Sequence, residues 1–132
     1  MVADARYAFL LGEAGEDAAL APLLCALRIG RRALGMAGDG EVLGLYGFGA
    51  AAHIVAQVAR WQGRAVFAFT RPGDLATQAF ARGLGAAGAG GSDEMPPHRL
   101  DAALIFATVG DLVPSRYRPS ARAGAWSAPE AM

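Results

Sequence analysis

Gly47-Phe48-Gly49-Ala50-Ala51-Ala52 carries the clearest chemical signature in the chain. The apolar run Val42-Leu43-Gly44-Leu45-Tyr46 precedes it and an alanine-rich, helix-forming segment follows, so the order is strand, tight turn, helix. In such a Gly-x-Gly-x-x-Ala turn the first glycine permits the sharp reversal. The second removes the side chain where a diphosphate must approach the backbone, and the small third residue lets the helix pack closely on the strand. The uncapped N–H groups of Ala50 and Ala51, with the positive end of the helix dipole, suit an anion. The residues therefore predict a nucleotide-binding turn, although 18 glycines make a chance match to the bare motif easy and its context has to carry the reading.

Other reactive residues are few. The single cysteine, Cys25, excludes an internal disulfide framework and fits a reducing cytoplasm. The two histidines stand apart. His53 lies in the glycine turn's helix, in a phosphate-side or a surface-packing role, and His98 lies in a polar loop.

The elements that must position these residues follow from patterning. At 132 residues and 54 % hydrophobic content the chain fits one domain with a real core. Zero formal net charge, without a run of one sign, speaks against nucleic acid or a polybasic membrane patch as partner. All twelve basic residues are Arg, which with so much Ala and Gly reads as GC-rich coding. The first residues lack the basic, apolar and small-residue order of a signal peptide, and Arg28, Arg31 and Arg32 interrupt the longest apolar stretch. A soluble, cytoplasmic protein is expected.

Met1 to Glu16 reads as an N-terminal arm. From Asp17 the pattern is helical, with Leu20, Leu23, Leu24 and Leu27 on one face, Arg28, Arg31 and Arg32 on a solvated one, and a stop at Gly38-Asp39-Gly40. After the strand at 42–46 and the turn, a helix over 50–61 places Ile54, Val55 and Val58 on a sheet, and Ala65-Val66-Phe67-Ala68-Phe69 reads as a strand covered on both faces. Asp74 caps a helix running to about Leu84. A weak strand near 86–90 and a buried strand within 101–107 complete the sheet. The expected fold is therefore α/β: a partial Rossmann-type parallel sheet over residues 17–113, helices on both faces, and a weakly ordered irregular tail over 114–132. Ending after its last strand, this sheet has an open edge that favours aggregation or dimerisation.

In dinucleotide folds an Asp or Glu about 20 residues beyond the glycines accepts from both ribose hydroxyls and favours NAD. Thr70 and Arg71 stand there instead. A guanidinium suits a 2′-phosphate through two parallel hydrogen bonds, which favours NADP over NAD. The alternative is an Arg71 that is only an exposed turn residue.

Ala21-Pro22-Leu23-Leu24-Cys25-Ala26, Arg32-Ala33-Leu34, Gly44-Leu45-Tyr46-Gly47-Phe48-Gly49 and Phe67-Ala68-Phe69-Thr70-Arg71-Pro72-Gly73 together resemble the cofactor domain of zinc-dependent alcohol dehydrogenases, of the medium-chain dehydrogenase/reductase superfamily. The resemblance covers roughly residues 5 to 113. It implies a Rossmann domain binding NAD or NADP, and hydride transfer between an alcohol and an aldehyde or ketone. It further implies that Gly47, Phe48, Gly49, Ala50, Ala51 and Ala52 hold the diphosphate, that Thr70 and Arg71 meet the adenosine ribose, and that Ala107 to Val109 face the nicotinamide. Cys25 matches a cysteine that ligates the catalytic zinc. In the family the other two main ligands, a cysteine and a histidine, come from a second, GroES-like domain, which the chain does not match.

Leu27 and Arg28 depart from the glycine usual after Cys25-Ala26, and a buried, inert thiol is the alternative for Cys25. The match decays after Gly110, and residues from about Ser115 read as a shifted frame or truncated gene. The expectation is a cofactor-binding portion not active alone, partnered by a dinucleotide, a small alcohol or aldehyde, and a second copy or a separate catalytic-domain chain. The alternatives are a noncatalytic nucleotide-binding module and a degenerate gene product.

Overall fold

The alternation of side chains along the central strand divides the core in two. Leu43 and Leu45 point to one side of the sheet and Gly44 and Tyr46 to the other, and all four are buried. A computed structural model describes residues 4–7, 15–107 and the strand pair at 125–126. Among these, β1 (Val42–Tyr46), β2 (Ala65–Thr70), β3 (Gly88–Gly91) and β4 (Ala102–Ile105) are parallel in the order β3-β2-β1-β4. The short β5 (Ala125–Trp126) runs antiparallel along β4, opposite Ala103 and Leu104. The edge expected to be open is thus covered over that pair, by residues whose sequence shows no strand pattern.

On the first face α3 (Ala50–Trp61) joins β1 to β2 and α4 (Leu75–Gly83) joins β2 to β3. Ala52, Val55, Ala56 and Ala59 of α3 pack with Leu43, Leu45, Val66 and Leu104. The opposite core of Tyr46, Phe67, Phe69, Leu100 and Ala103 contains no helical residue. Helices were expected on both faces. Among the described residues the segment 92–101 covers the second face instead, because its Leu100 side chain enters the gap left by Gly44. A Cβ there would lie 2.5 Å from Leu100 Cδ1.

Before the sheet, α1 (Asp17–Pro22), a π-helical segment (Leu23–Leu27) and α2 (Arg28–Met36) form a continuous helical run. Pro22 has no N–H to donate one turn back, and the wider π turn follows it. That extra rotation corrects the expected leucine face. Leu23 and Leu24 are exposed, the latter at 61 %, and the buried seam is Ala26, Gly30 and Leu34. Gly30 lets α2 approach α3, since a Cβ would lie 2.6 Å from Val55 Cγ2. Arg28, Arg31 and Arg32 are exposed, as expected. No described helix is long and apolar enough to cross a membrane.

Candidate functional site

Register alone brings the candidate residues together. Tyr46 pairs with Phe69 and with Ile105, so the residues that follow emerge side by side at the carboxyl end of the sheet. Gly47 N–H donates to Phe69 O at 2.8 Å, Phe106 N–H to Tyr46 O at 2.8 Å and Ser92 N–H to Thr70 O at 2.8 Å. Gly47, Thr70-Arg71, Gly91-Ser92 and Phe106-Ala107 therefore share one rim. The chain leaves β1 towards β2 and β3 and returns on the other side as β4, making the β1/β4 boundary a topological switch point. In open α/β sheets the crevice at the carboxyl end of such a point is where ligands bind.

Within that rim the turn has the geometry its residue types require. Gly47 has φ +83°, and a Cβ on it would lie 2.8 Å from Ala107 N and 2.9 Å from Ala107 Cβ. Gly49 is exposed, and the position its Cβ would occupy is open, with nothing within 4 Å. It is the extended N-cap of α3 with no side-chain capping bond, so the first N–H groups of that helix keep their donors for an external acceptor. The helical bonding starts with His53 N–H to Gly49 O at 3.0 Å. Ala50 is exposed and Ala51 half-buried, whereas Ala52 is fully buried beneath the turn. Phe48 is half-buried, its ring edge-on to Phe80 at 6.2 Å between centroids, and Phe80 also meets His53 at 5.9 Å.

At the end of β2 the two ribose candidates differ. Arg71 is exposed. Thr70 is buried, and its hydroxyl accepts from Gln78 Nε2 at 3.2 Å and donates to Arg71 O at 3.1 Å. Asp74 caps α4 as expected, accepting from Thr77 N–H at 3.1 Å. That bond holds its carboxyl below the ordinary value, and the Arg71 charge adds to the effect. Ala107 lies beside Gly47, half-buried, while Val109 is outside the described residues.

Cys25 lies on the π segment, which packs against α3, and its thiol is exposed rather than buried. His98 packs against Phe67 at 5.5 Å. Among the described residues no three His, Cys, Asp or Glu side chains converge as a metal site would require, so Cys25 does not by itself fit the three protein ligands of a catalytic zinc. Gln78 is the residue that sequence reasoning missed. Its only signal was its place one turn after Asp74, on the side of α4 that also buries Ala81.

No family model matches the chain. Over 111 residues, 83 % of its length, it is 48 % identical to the probable alcohol dehydrogenase AdhA of Mycobacterium tuberculosis (strain CDC 1551 / Oshkosh). The chain spans about a third, 32 %, of that relative's length. By that identity this chain is a relative of an alcohol dehydrogenase over most of its own residues.

Proposed function

We propose that the chain is the nicotinamide-dinucleotide-binding portion of an alcohol dehydrogenase of the zinc-dependent, medium-chain type. The observation that carries the reading is the open space above Gly49 at the uncapped start of α3, set at the switch point of a β3-β2-β1-β4 sheet. The diphosphate lies over Gly47, Phe48 and Gly49, and accepts hydrogen bonds from the backbone N–H groups of Ala50 and Ala51. The helix dipole adds about 0.3–1 kcal/mol to that attraction. Ala52, buried below, holds the helix close enough for those donors to reach. Arg71, exposed beside the turn, meets the adenosine ribose, and its positive charge favours the 2′-phosphate of NADP over the bare hydroxyl of NAD. Thr70 supports that corner from below. Ala107 borders the nicotinamide.

When bound, the dinucleotide supplies the hydride acceptor or donor for an alcohol and its aldehyde or ketone. The residues of this chain bind and orient it. Cys25 is the family's counterpart of a zinc ligand, but its described surroundings do not complete a zinc site, and no step is assigned to it. The second reading is a noncatalytic nucleotide-binding module that acts with a separate chain.

Calorimetric titration with NADPH and NADH tests the first reading. Saturable binding at roughly 10–1,000 μM (about −7 to −4 kcal/mol) with NADPH preferred is the expected result. Arg71→Ala removes the preference. Flat titrations of the folded chain overturn the proposal. Binding without turnover, with turnover restored by a chain carrying the missing zinc ligands, distinguishes the second reading.

A further inference from the structure

Thr70 and Gln78 are buried polar side chains, at 3 % and 5 % exposure, and they bond to each other. Burying an amide and a hydroxyl is costly unless both are satisfied, whereas an apolar pair of similar shape would fill the same space at little cost. The direction of the bonds is fixed by chemistry. The carbonyl of Arg71 can only accept, so the Thr70 hydroxyl must donate to it, at 3.1 Å, and must in turn accept from the Gln78 amide, at 3.2 Å. The Gly90 carbonyl lies at the edge of reach of the same hydroxyl, at 3.5 Å. Arg71 O also accepts from Asp74 N–H at 3.1 Å, and Asp74 O accepts from Gln78 N–H at 3.1 Å. The Arg71 peptide is thus held from the helix side and from the sheet side, while its side chain is exposed.

We infer that Gln78, acting through the Thr70 hydroxyl, is the positioning residue that fixes the Arg71 backbone so that its guanidinium meets the 2′-phosphate of the dinucleotide. The inference rests on the proposed cofactor reading. Bidentate phosphate recognition depends on the orientation of a planar fork, so loosening the peptide that carries it lowers discrimination. A residue serving stability alone would leave the ratio of NADPH to NADH affinity unchanged. Gln78 touches neither ribose nor phosphate in this arrangement. Its effect travels through one hydroxyl and one carbonyl.

The test compares NADPH and NADH dissociation constants for the wild-type chain, Gln78→Leu, the apolar double variant Thr70→Val/Gln78→Leu, and Thr70→Ser. The double variant leaves no buried polar group unsatisfied on either side chain. Both variants lacking Gln78 are expected to lose about tenfold of the NADPH preference, the scale of one charge-assisted hydrogen bond. Thr70→Ser, which keeps the hydroxyl, retains the preference. Hydrogen exchange at the Asp74 amide is expected to speed up in the double variant, which reports directly on the Arg71 carbonyl. A folded double variant with the wild-type affinity ratio overturns the inference. So does a double variant that fails to fold, because the pair would then serve the fold rather than Arg71. Flat wild-type titrations instead overturn the cofactor reading, and that result is read before any variant is made.

Discussion

The Cβ that Gly47 lacks would sit 2.8 Å from the backbone nitrogen of Ala107, so the first turn glycine and the end of β4 occupy space that only one of them can fill. Gly49, two residues on, faces open space. The two glycines therefore separate folding from binding. Gly47→Ala combines a left-handed backbone with a clash against main chain, and is expected to cost about 1–3 kcal/mol in urea denaturation. Gly49→Ala has an extended backbone and no clash, and is expected to change stability by less than about 1 kcal/mol. Its methyl group intrudes where the diphosphate approaches, and calorimetry should show NADPH binding weakened by roughly tenfold. Equal effects of both substitutions on stability would contradict this division.

Gly44 and Leu100 form a second complementary pair, remote from the rim. Gly44→Ala forces Leu100 to move and is expected to destabilise by about 1–3 kcal/mol, the usual range for overpacking. Adding Leu100→Ala relieves the clash, so a double-mutant cycle should give a favourable coupling of about 0.5–3 kcal/mol. Additive losses in chemical denaturation would show that Leu100 does not pack as described.

Asp74 predicts a pH dependence of known sign. The Thr77 N–H bond, helped by Arg71, lowers its folded-state value below the ordinary 3.8. Its contribution is thus complete above the unfolded-state value and is lost as pH falls through the lowered folded value. Asp74→Asn keeps a capping oxygen without the charge. The stability difference between wild type and Asp74→Asn, followed by thermal unfolding from pH 6 downward, is expected to drift in favour of the variant only below roughly pH 4. The group is at the surface and the effect is small and weakened by salt. A drift centred near neutrality would assign it to another group.

The strand at 42–46, the helix at 50–61, the strand that starts at Ala65 and the Asp74 cap were all legible because each is set by neighbours within one turn or one strand. The glycine turn was legible for the same reason, since its backbone angles and its helix start are local properties. The leucine stripe over residues 20–27 was misread because periodicity assumes a regular 3.6-residue turn, and the π turn after Pro22 rotates every later position. For Cys25 the resemblance offers a zinc position and composition a buried thiol, and nothing local could tell that its thiol is exposed.

The sequence by itself determined an α/β order of elements and a glycine turn between strand and helix, because turn chemistry and apolar alternation act over a few residues. Only the tertiary structure decided that β4 lies beside β1 and opens the crevice, that Leu100 fills the place of a side chain at Gly44, and that Gln78 reaches Thr70 beneath Arg71. Those relationships join residues far apart along the chain or on different elements. Their cause is the packing of the sheet's two faces, which no short stretch of sequence contains.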